Sequence, residues 1–308
     1  MVQAISATEA EAVIEAEVLP AEVDEVMPLP AGESLSLEGA FSLAGQEPSR
    51  FVVILGNNDS GKTTLAASLY QMFLNQCGVG KFFFAGSQTL VAFENRSLYT
   101  LTTSYNPKPD TPRTPQGVRD VLHLKLYEQK RRREINLLLS DFSGEEYRLA
   151  IGDPQTAKED FPQVLEARCI VLLVDGNKLA AAKGRAAEIH RSVHMLKTFY
   201  DADLIDNNAQ ILVTISKYDL LVSLPADEQS RIDAMLKAEI DDHFPKLTSR
   251  IWFFKTAAMP RNDEHLKPYY GLPELLDRLL ANIKRPTEEF SAAQTESQFD
   301  LWAERMGI

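Results

Sequence analysis

Cysteine is nearly missing from the 308-residue chain, where Cys77 and Cys169 are the only two. Two thiols exclude a disulfide framework and a cysteine-rich zinc cluster, and Cys169, which opens an apolar run, reads as a small buried hydrophobe. Positive charge is absent from the start of the chain, since no Lys or Arg precedes Arg50. A secretion signal, which begins with a basic stretch followed by an apolar one, is therefore not expected. No apolar run approaches membrane-spanning length. The formal net charge of −12 opposes non-specific nucleic-acid binding, because a phosphate backbone would repel it. There is no internal repeat. These absences leave a soluble, cytoplasmic, non-repetitive protein that binds no nucleic acid.

What is present is a sizeable apolar fraction, 44%, enough to fill the core of one large domain or two small ones. Residues 1–40 are expected to lie outside that core as an acidic disordered tail, rich in Glu and broken by Pro20, Pro28 and Pro30. Phe41-Ser42-Leu43 reads as a short strand. Phe51–Leu55 is an apolar strand, followed by Gly56-Asn57-Asn58-Asp59-Ser60-Gly61-Lys62-Thr63 and a helical pattern through Leu65, Leu69 and Phe73. Strand, glycine-bounded loop and helix are the context of a phosphate-binding loop. Gly56 and Gly61 let backbone N–H groups approach a polyphosphate, and the helix adds its dipole and unpaired N–H groups. Lys62 reaches the terminal phosphates, Thr63 ligates Mg²⁺, and Thr64 completes the nucleotide-contacting run.

Further along, Lys81–Ser87 is an apolar segment or strand ending in a turn, and Gln88–Leu101 a helix. Pro107, Pro109, Pro112 and Pro115 require an extended loop. Val118–Tyr127 and Glu134–Leu139 form a hairpin around Lys130-Arg131-Arg132-Arg133, which reads as a solvated turn. Apolar runs at Cys169–Val174, Ile211–Ile215 and Ile251–Phe254 alternate with helices at Leu179–Tyr200, around Ile232, Leu236 and Ile240, and from Leu275 to Ile283. This alternation predicts a three-layer α/β domain over 41–285, with an insertion at about 78–116 and a mainly parallel sheet of six strands, one antiparallel at the edge. The tail 286–308 carries Phe290, Phe299, Leu301 and Trp302, expected to pack back on the domain. His190 and His194 share a helix face, but the pattern offers no third ligand, so they are expected on an exposed flank.

Three later motifs complete the chemistry. Asp141-Phe142-Ser143-Gly144 follows a strand, placing a carboxylate for Mg²⁺ and the Gly144 N–H for a γ-phosphate oxygen. Ser216-Lys217-Tyr218-Asp219 resembles the guanine-recognition motif of GTPases. A carboxylate at Asp219 accepts from both guanine N1–H and the exocyclic amine, a donor pair adenine lacks, while Lys217 lies along the base plane. Ser216 departs from the usual Asn or Thr, and its shorter hydroxyl is expected to weaken base affinity. Thr256-Ala257-Ala258 resembles the last GTPase motif, in which the Ala backbone N–H faces the guanine O6.

These elements, with a hairpin before Asp141, resemble the Ras-like branch of P-loop GTPases over residues 50–285. Phe84–Thr89, Pro109–Thr114 and Leu139–Glu145 resemble the bacterial double-GTPase family. That resemblance implies GTP/GDP and Mg²⁺ as ligands, a second GTPase encoded nearby as partner, and a place in a multi-component, defence-related system. Ras-like GTPases complete the Mg²⁺ shell with a switch-loop Thr, here Thr114 in preference to Thr111. Beside it Arg113 is placed to stabilise transition-state charge in cis. Glu145 stands where a water-orienting Gln is usual, so slow, partner-stimulated hydrolysis is expected. The alternatives are a nucleotide-binding scaffold without hydrolysis, or an ATPase without base preference.

Overall fold

The alternating pattern folds as seven strands in one sheet with helices on both faces. The structure, a computed structural model, describes residues 32–76, 78–100, 117, 119–260 and 266–283, all within the unit Ala31–Ile308. The strands are β1 (Ser49–Gly56), β2 (Phe82–Gly86), β3 (Asp120–Glu128), β4 (Arg133–Asp141), β5 (Cys169–Asp175), β6 (Gln210–Ser216) and β7 (Ile251–Lys255), in the spatial order β2-β3-β4-β1-β5-β6-β7. The five strands β4, β1, β5, β6 and β7 run parallel, and β3 is antiparallel to both of its neighbours. The helices are α1 (Leu37–Gln46), α2 (Lys62–Asn75), α3 (Leu90–Thr100), α4 (Gly144–Ala150), α5 (Pro154–Asp160), α6 (Gly176–Ala180), α7 (Arg185–Asp201), α8 (Asp219–Val222), α9 (Ala226–His243) and α10 (Leu272–Leu279).

Period-two side-chain alternation splits each central strand between two cores. Phe51, Val53 and Leu55 of β1 join one core with α1, α4, α5, α7 and α9. Val52 and Ile54 join the other, with α2, α3 and α10. Cys169 lies in this second core and is buried as expected, and desolvation pushes its thiol up to about 12. Among the described residues no helix is long and apolar enough to cross a membrane.

Four local expectations are corrected. Among the described residues the sheet has seven strands rather than six, because Phe82–Gly86 pairs outside β3; the antiparallel strand is therefore interior. Phe82 is buried in the second core while the outer face of β2 stays half-exposed, which suits an edge strand. Phe41-Ser42-Leu43 is helical, not extended: Ser36 Oγ accepts from the Gly39 N–H at 3.1 Å as an N-cap, and Phe41 packs edge-on to Phe51 at 5.2 Å. Within the stretch read as an acidic tail, Leu35 already pairs with Val121 through two backbone bonds; residues 1–31 lie outside the described part. Leu179–Tyr200 is two helices, broken where Gly184 takes a φ of 103°.

The basic hairpin turn is solvated as expected except for Arg133, which pairs with Glu128 at 2.8 Å and donates to the Ile283 carbonyl at 2.8 Å. The rings of His190 and His194 are 4.0 Å apart, with His190 largely exposed beside Glu239. No group of three metal-capable His, Cys, Asp or Glu side chains occurs among the described residues. The tail 286–308, with its aromatic residues, lies outside the described part.

Candidate nucleotide-binding site

Ligands of open α/β sheets bind beyond the carboxyl ends of the strands, where the strand order reverses. The carboxyl ends of β4, β1, β6 and β7 carry Asp141, Gly56, Ser216 and the turn into Thr256, so the topology brings all four motifs to one rim.

The phosphate loop leaves β1 at Gly56 and enters α2 at Lys62, with Asp59 (φ 62°) and Gly61 (φ 92°) in the left-handed region. Lys62 is buried and folds over its own loop, donating to the Gly56 carbonyl at 3.0 Å and the Asn57 carbonyl at 3.3 Å. Desolvation pushes its ammonium down to about 8, and the nearby carboxylates of Asp141 and Asp59 oppose the shift. Asn57 is buried, its amide donating to Glu188 Oε1 at 3.0 Å. Asn58 is half-buried, Asp59 exposed and Ser60 fully buried; Thr63 and Thr64 are half-buried in the first turn of α2.

The shift in Lys62 would make polyphosphate binding at this loop depend on pH. In the empty protein Lys62 releases its proton above about 8, whereas the unfolded chain keeps it to the ordinary 10.5. The unfolded state therefore binds more protons in that window, and this contribution to stability rises with pH. Bound polyphosphate favours the charged ammonium, so binding above pH 8 takes up a proton. Nucleotide affinity should be level below about pH 8 and then fall by up to about tenfold per pH unit, the limit for one linked proton. Lys62→Met should remove the slope along with much of the affinity, as read from equilibrium binding across pH.

Thr63 Oγ1 donates to Asp141 Oδ1 at 2.9 Å, joining the start of α2 to the end of β4. A hydroxyl and a carboxylate at a helix N-terminus are the hard oxygen donors Mg²⁺ requires, and the pair fits that ion. The other oxygen of Asp141 is taken by a residue the sequence did not single out. Arg96 of α3 donates from Nε to Asp141 Oδ2 at 2.7 Å and pairs through Nη2 with Asp120 at 3.0 Å. The available signal was its position one turn beyond the buried Ala92 and Phe93.

Gly144 starts α4, capped by Ser143 Oγ, which accepts from the Glu145 N–H at 3.3 Å. It presses against the phosphate loop: a Cβ there would overlap Lys62 Nζ and lie 3.0 Å from the Gly56 carbonyl. Glu145 is half-buried. Its neighbour Glu146 accepts from the Gly117 N–H at 2.9 Å, so one of its oxygens is committed to the turn before β3.

The base-side loop is bonded directly to the phosphate loop. Ser216 Oγ donates to the Ser60 carbonyl at 2.7 Å. Lys217, with φ 51°, sends its ammonium to the Asp59 carbonyl and to Asp175 at 3.1 Å. A Cβ on Gly176 would overlap the Ser216 carbonyl, so the start of α6 packs tightly on the end of β6. Asp219 is buried at the start of α8. Tyr218 N–H donates to the Thr256 carbonyl at 3.0 Å, and Thr256 N–H to the Ile215 carbonyl at 2.8 Å, tying the last motif to the base loop.

The Ala257 N–H donates to the Tyr270 carbonyl at 3.0 Å, and the Ala258 carbonyl accepts from the Tyr269 N–H at 3.2 Å. Thr111, Arg113 and Thr114 lie outside the described residues.

The Double-GTPase 2 profile matches residues 50–280. No curated protein sequence matches. Among solved structures, the chain is similar to a bacterial selenocysteine-specific elongation factor EF-Sec at 10% identity and a TM-score of 0.37, covering 76% of this chain and 28% of that one. It is also similar to Methanosarcina barkeri Roco2 RocCORdC bound to GDP at 15% identity and 0.38, covering 84% and 57%. A third is the signal recognition particle receptor SRb-GTP/SRX complex from Chaetomium thermophilum at 14% and 0.40, covering 68% and 91%. The chain thus spans less than two thirds of the length of the first two. From the profile match, which takes in all four motifs, the chain belongs to the Double-GTPase 2 family.

Proposed function

We propose that this protein is a guanine-nucleotide switch that hydrolyses GTP slowly alone and faster with a partner. The observation carrying this reading is the bonded contact between the two loops, Ser216 to the Ser60 carbonyl and Lys217 to the Asp59 carbonyl. It supports a reading in which Lys62, as the phosphate binder, and Asp219, as the base reader, serve one nucleotide. In this reading Gly56 through Thr64 wrap the phosphates, Lys62 neutralises the terminal ones, and the Gly144 N–H binds the γ-phosphate. Asp219 and Lys217 hold the base, with Ser216, Thr256 and Ala258 shaping its pocket.

Thr63 and Asp141 would hold Mg²⁺, with Thr114 as the third protein group. When bound, the ion neutralises charge on the β- and γ-phosphates. Arg113 is proposed as the cis cation for the transition state. Glu145, in place of a neutral water-orienting group, is proposed as the reason for slow turnover, since a carboxylate beside the γ-phosphate repels it unless screened. The partner is proposed to be a second GTPase encoded beside this one in a bacterial, defence-related system.

Glu145 also favours a second reading, a nucleotide-binding scaffold with little hydrolysis. Competition of GDP, GTP and ATP for the purified protein, followed by phosphate release with and without the neighbouring GTPase, separates the possibilities. Guanine preference with stimulated release is the expected result. Guanine preference without release at any partner concentration would leave the scaffold, and equal ATP competition would overturn the base assignment.

A further inference from the structure

Arg96 is held on three sides. Its Nε donates to Asp141 Oδ2 at 2.7 Å, its Nη2 to Asp120 Oδ2 at 3.0 Å, and its Nη1 to the Ala92 carbonyl at 3.1 Å. The side chain is 18% exposed and that of Asp141 1%. Its placement is built into the packing of α3 on the phosphate-loop helix. Phe93 stacks on Tyr70 at 4.9 Å, and the Tyr70 hydroxyl donates to Glu94 at 2.5 Å. Asp141 thereby divides its two oxygens, one toward Thr63 and one toward a fixed guanidinium.

A buried carboxylate is costly without a counter-charge. Resting on the reading of Thr63 and Asp141 as the Mg²⁺ pair, we infer that Arg96 is the resident counter-charge of Asp141, and that its ion pair competes with the metal. With the guanidinium in place, Asp141 is neutralised before a cation arrives. A divalent ion near Thr63 then gains less from Asp141 than it would from an unpaired carboxylate, because the guanidinium offsets part of the attraction over a few ångströms of low-dielectric protein. By linkage, whatever the pair takes from metal affinity, bound metal takes from the pair. Arg96 is thus a positioning residue that sets how much Mg²⁺ the protein needs before it holds nucleotide tightly. Asp120, sharing the same guanidinium, draws it partly away from Asp141 and lowers that requirement.

The test is an Mg²⁺ titration of the binding of a fluorescent GDP analogue to the full chain. Arg96→Gln should lower the half-saturating Mg²⁺ concentration on the order of tenfold. It should also lower the melting temperature of the metal-free protein more than that of the Mg²⁺–GDP form. Arg96→Lys, which keeps the charge, should stay near the wild-type requirement. Asp120→Asn should raise the requirement, and it carries the test if Arg96→Gln does not fold. An unchanged or raised requirement in Arg96→Gln, or no rise in Asp120→Asn, overturns the inference while GDP binding stands. Failure of the wild-type chain to bind GDP at any Mg²⁺ concentration would sink the nucleotide reading as well.

Discussion

Asp219→Asn is expected to convert guanine preference into xanthine preference. In the proposed pocket the carboxylate accepts from N1–H and the exocyclic amine at once. Charge-assisted bonds of this kind contribute about 1.5–3 kcal/mol each, so losing the pair should weaken GTP binding by about 10²–10⁴-fold. An asparagine amide cannot accept from both donors, but it can donate to the carbonyl that xanthine carries in place of the amine while accepting from N1–H. Xanthosine triphosphate should therefore bind the variant better than GTP, by a ratio opposite to that of the wild type. Asp219 sits buried in the first turn of α8, and the loop before it is tied to both the phosphate loop and Thr256. The substitution should accordingly act on the ligand more than on the loop. Competition binding with the two triphosphates decides the matter: equal losses for both would place the base elsewhere.

Gly144→Ala should produce the second large effect, and it should fall on triphosphate binding rather than on folding. The added Cβ would overlap Lys62 Nζ and stand 2.9 Å from Asn58 Oδ1 and 3.0 Å from the Gly56 carbonyl. The easiest relief is to move the end of the lysine side chain, which costs the fold little. That same atom is the one proposed to neutralise the terminal phosphates, so its displacement costs ligand affinity directly. We expect GTP affinity to fall at least about tenfold, the equivalent of one charge-assisted bond. GDP affinity should fall less, because the γ-phosphate alone would meet the Gly144 N–H. The melting temperature should change little. A large drop in melting temperature with an unaltered GTP-to-GDP ratio would show that Gly144 serves only packing.

Much of this molecule was legible before any coordinates. The glycine-bounded loop between an apolar strand and an amphipathic helix is a local signal, because backbone turns, helix N-termini and strand periodicity are all set within about ten residues. The same holds for Asp141, Ser216, Lys217 and Asp219, each of which follows an apolar strand run. Phe41-Ser42-Leu43 was misread because three residues cannot distinguish period two from period 3.6; the deciding group was Ser36, the cap outside that triplet. The strand Phe82–Gly86 was legible as an apolar segment, but whether it joined the sheet depended on β3 offering an open edge, a pairing between distant residues.

Sequence alone therefore determined the layered α/β plan, the phosphate loop and the identity of the residues at the strand ends, since each rests on local spacing and on the chemistry of single side chains. Only the tertiary structure decided which of those groups touch. It put the Ser216 hydroxyl on the Ser60 carbonyl, gave the Ala257 amide to Tyr270, and laid Arg96 against Asp141. Those outcomes depend on how close two strands come and on how a helix docks. Such distances are fixed by the packing of the whole core, which no short stretch of residues encodes.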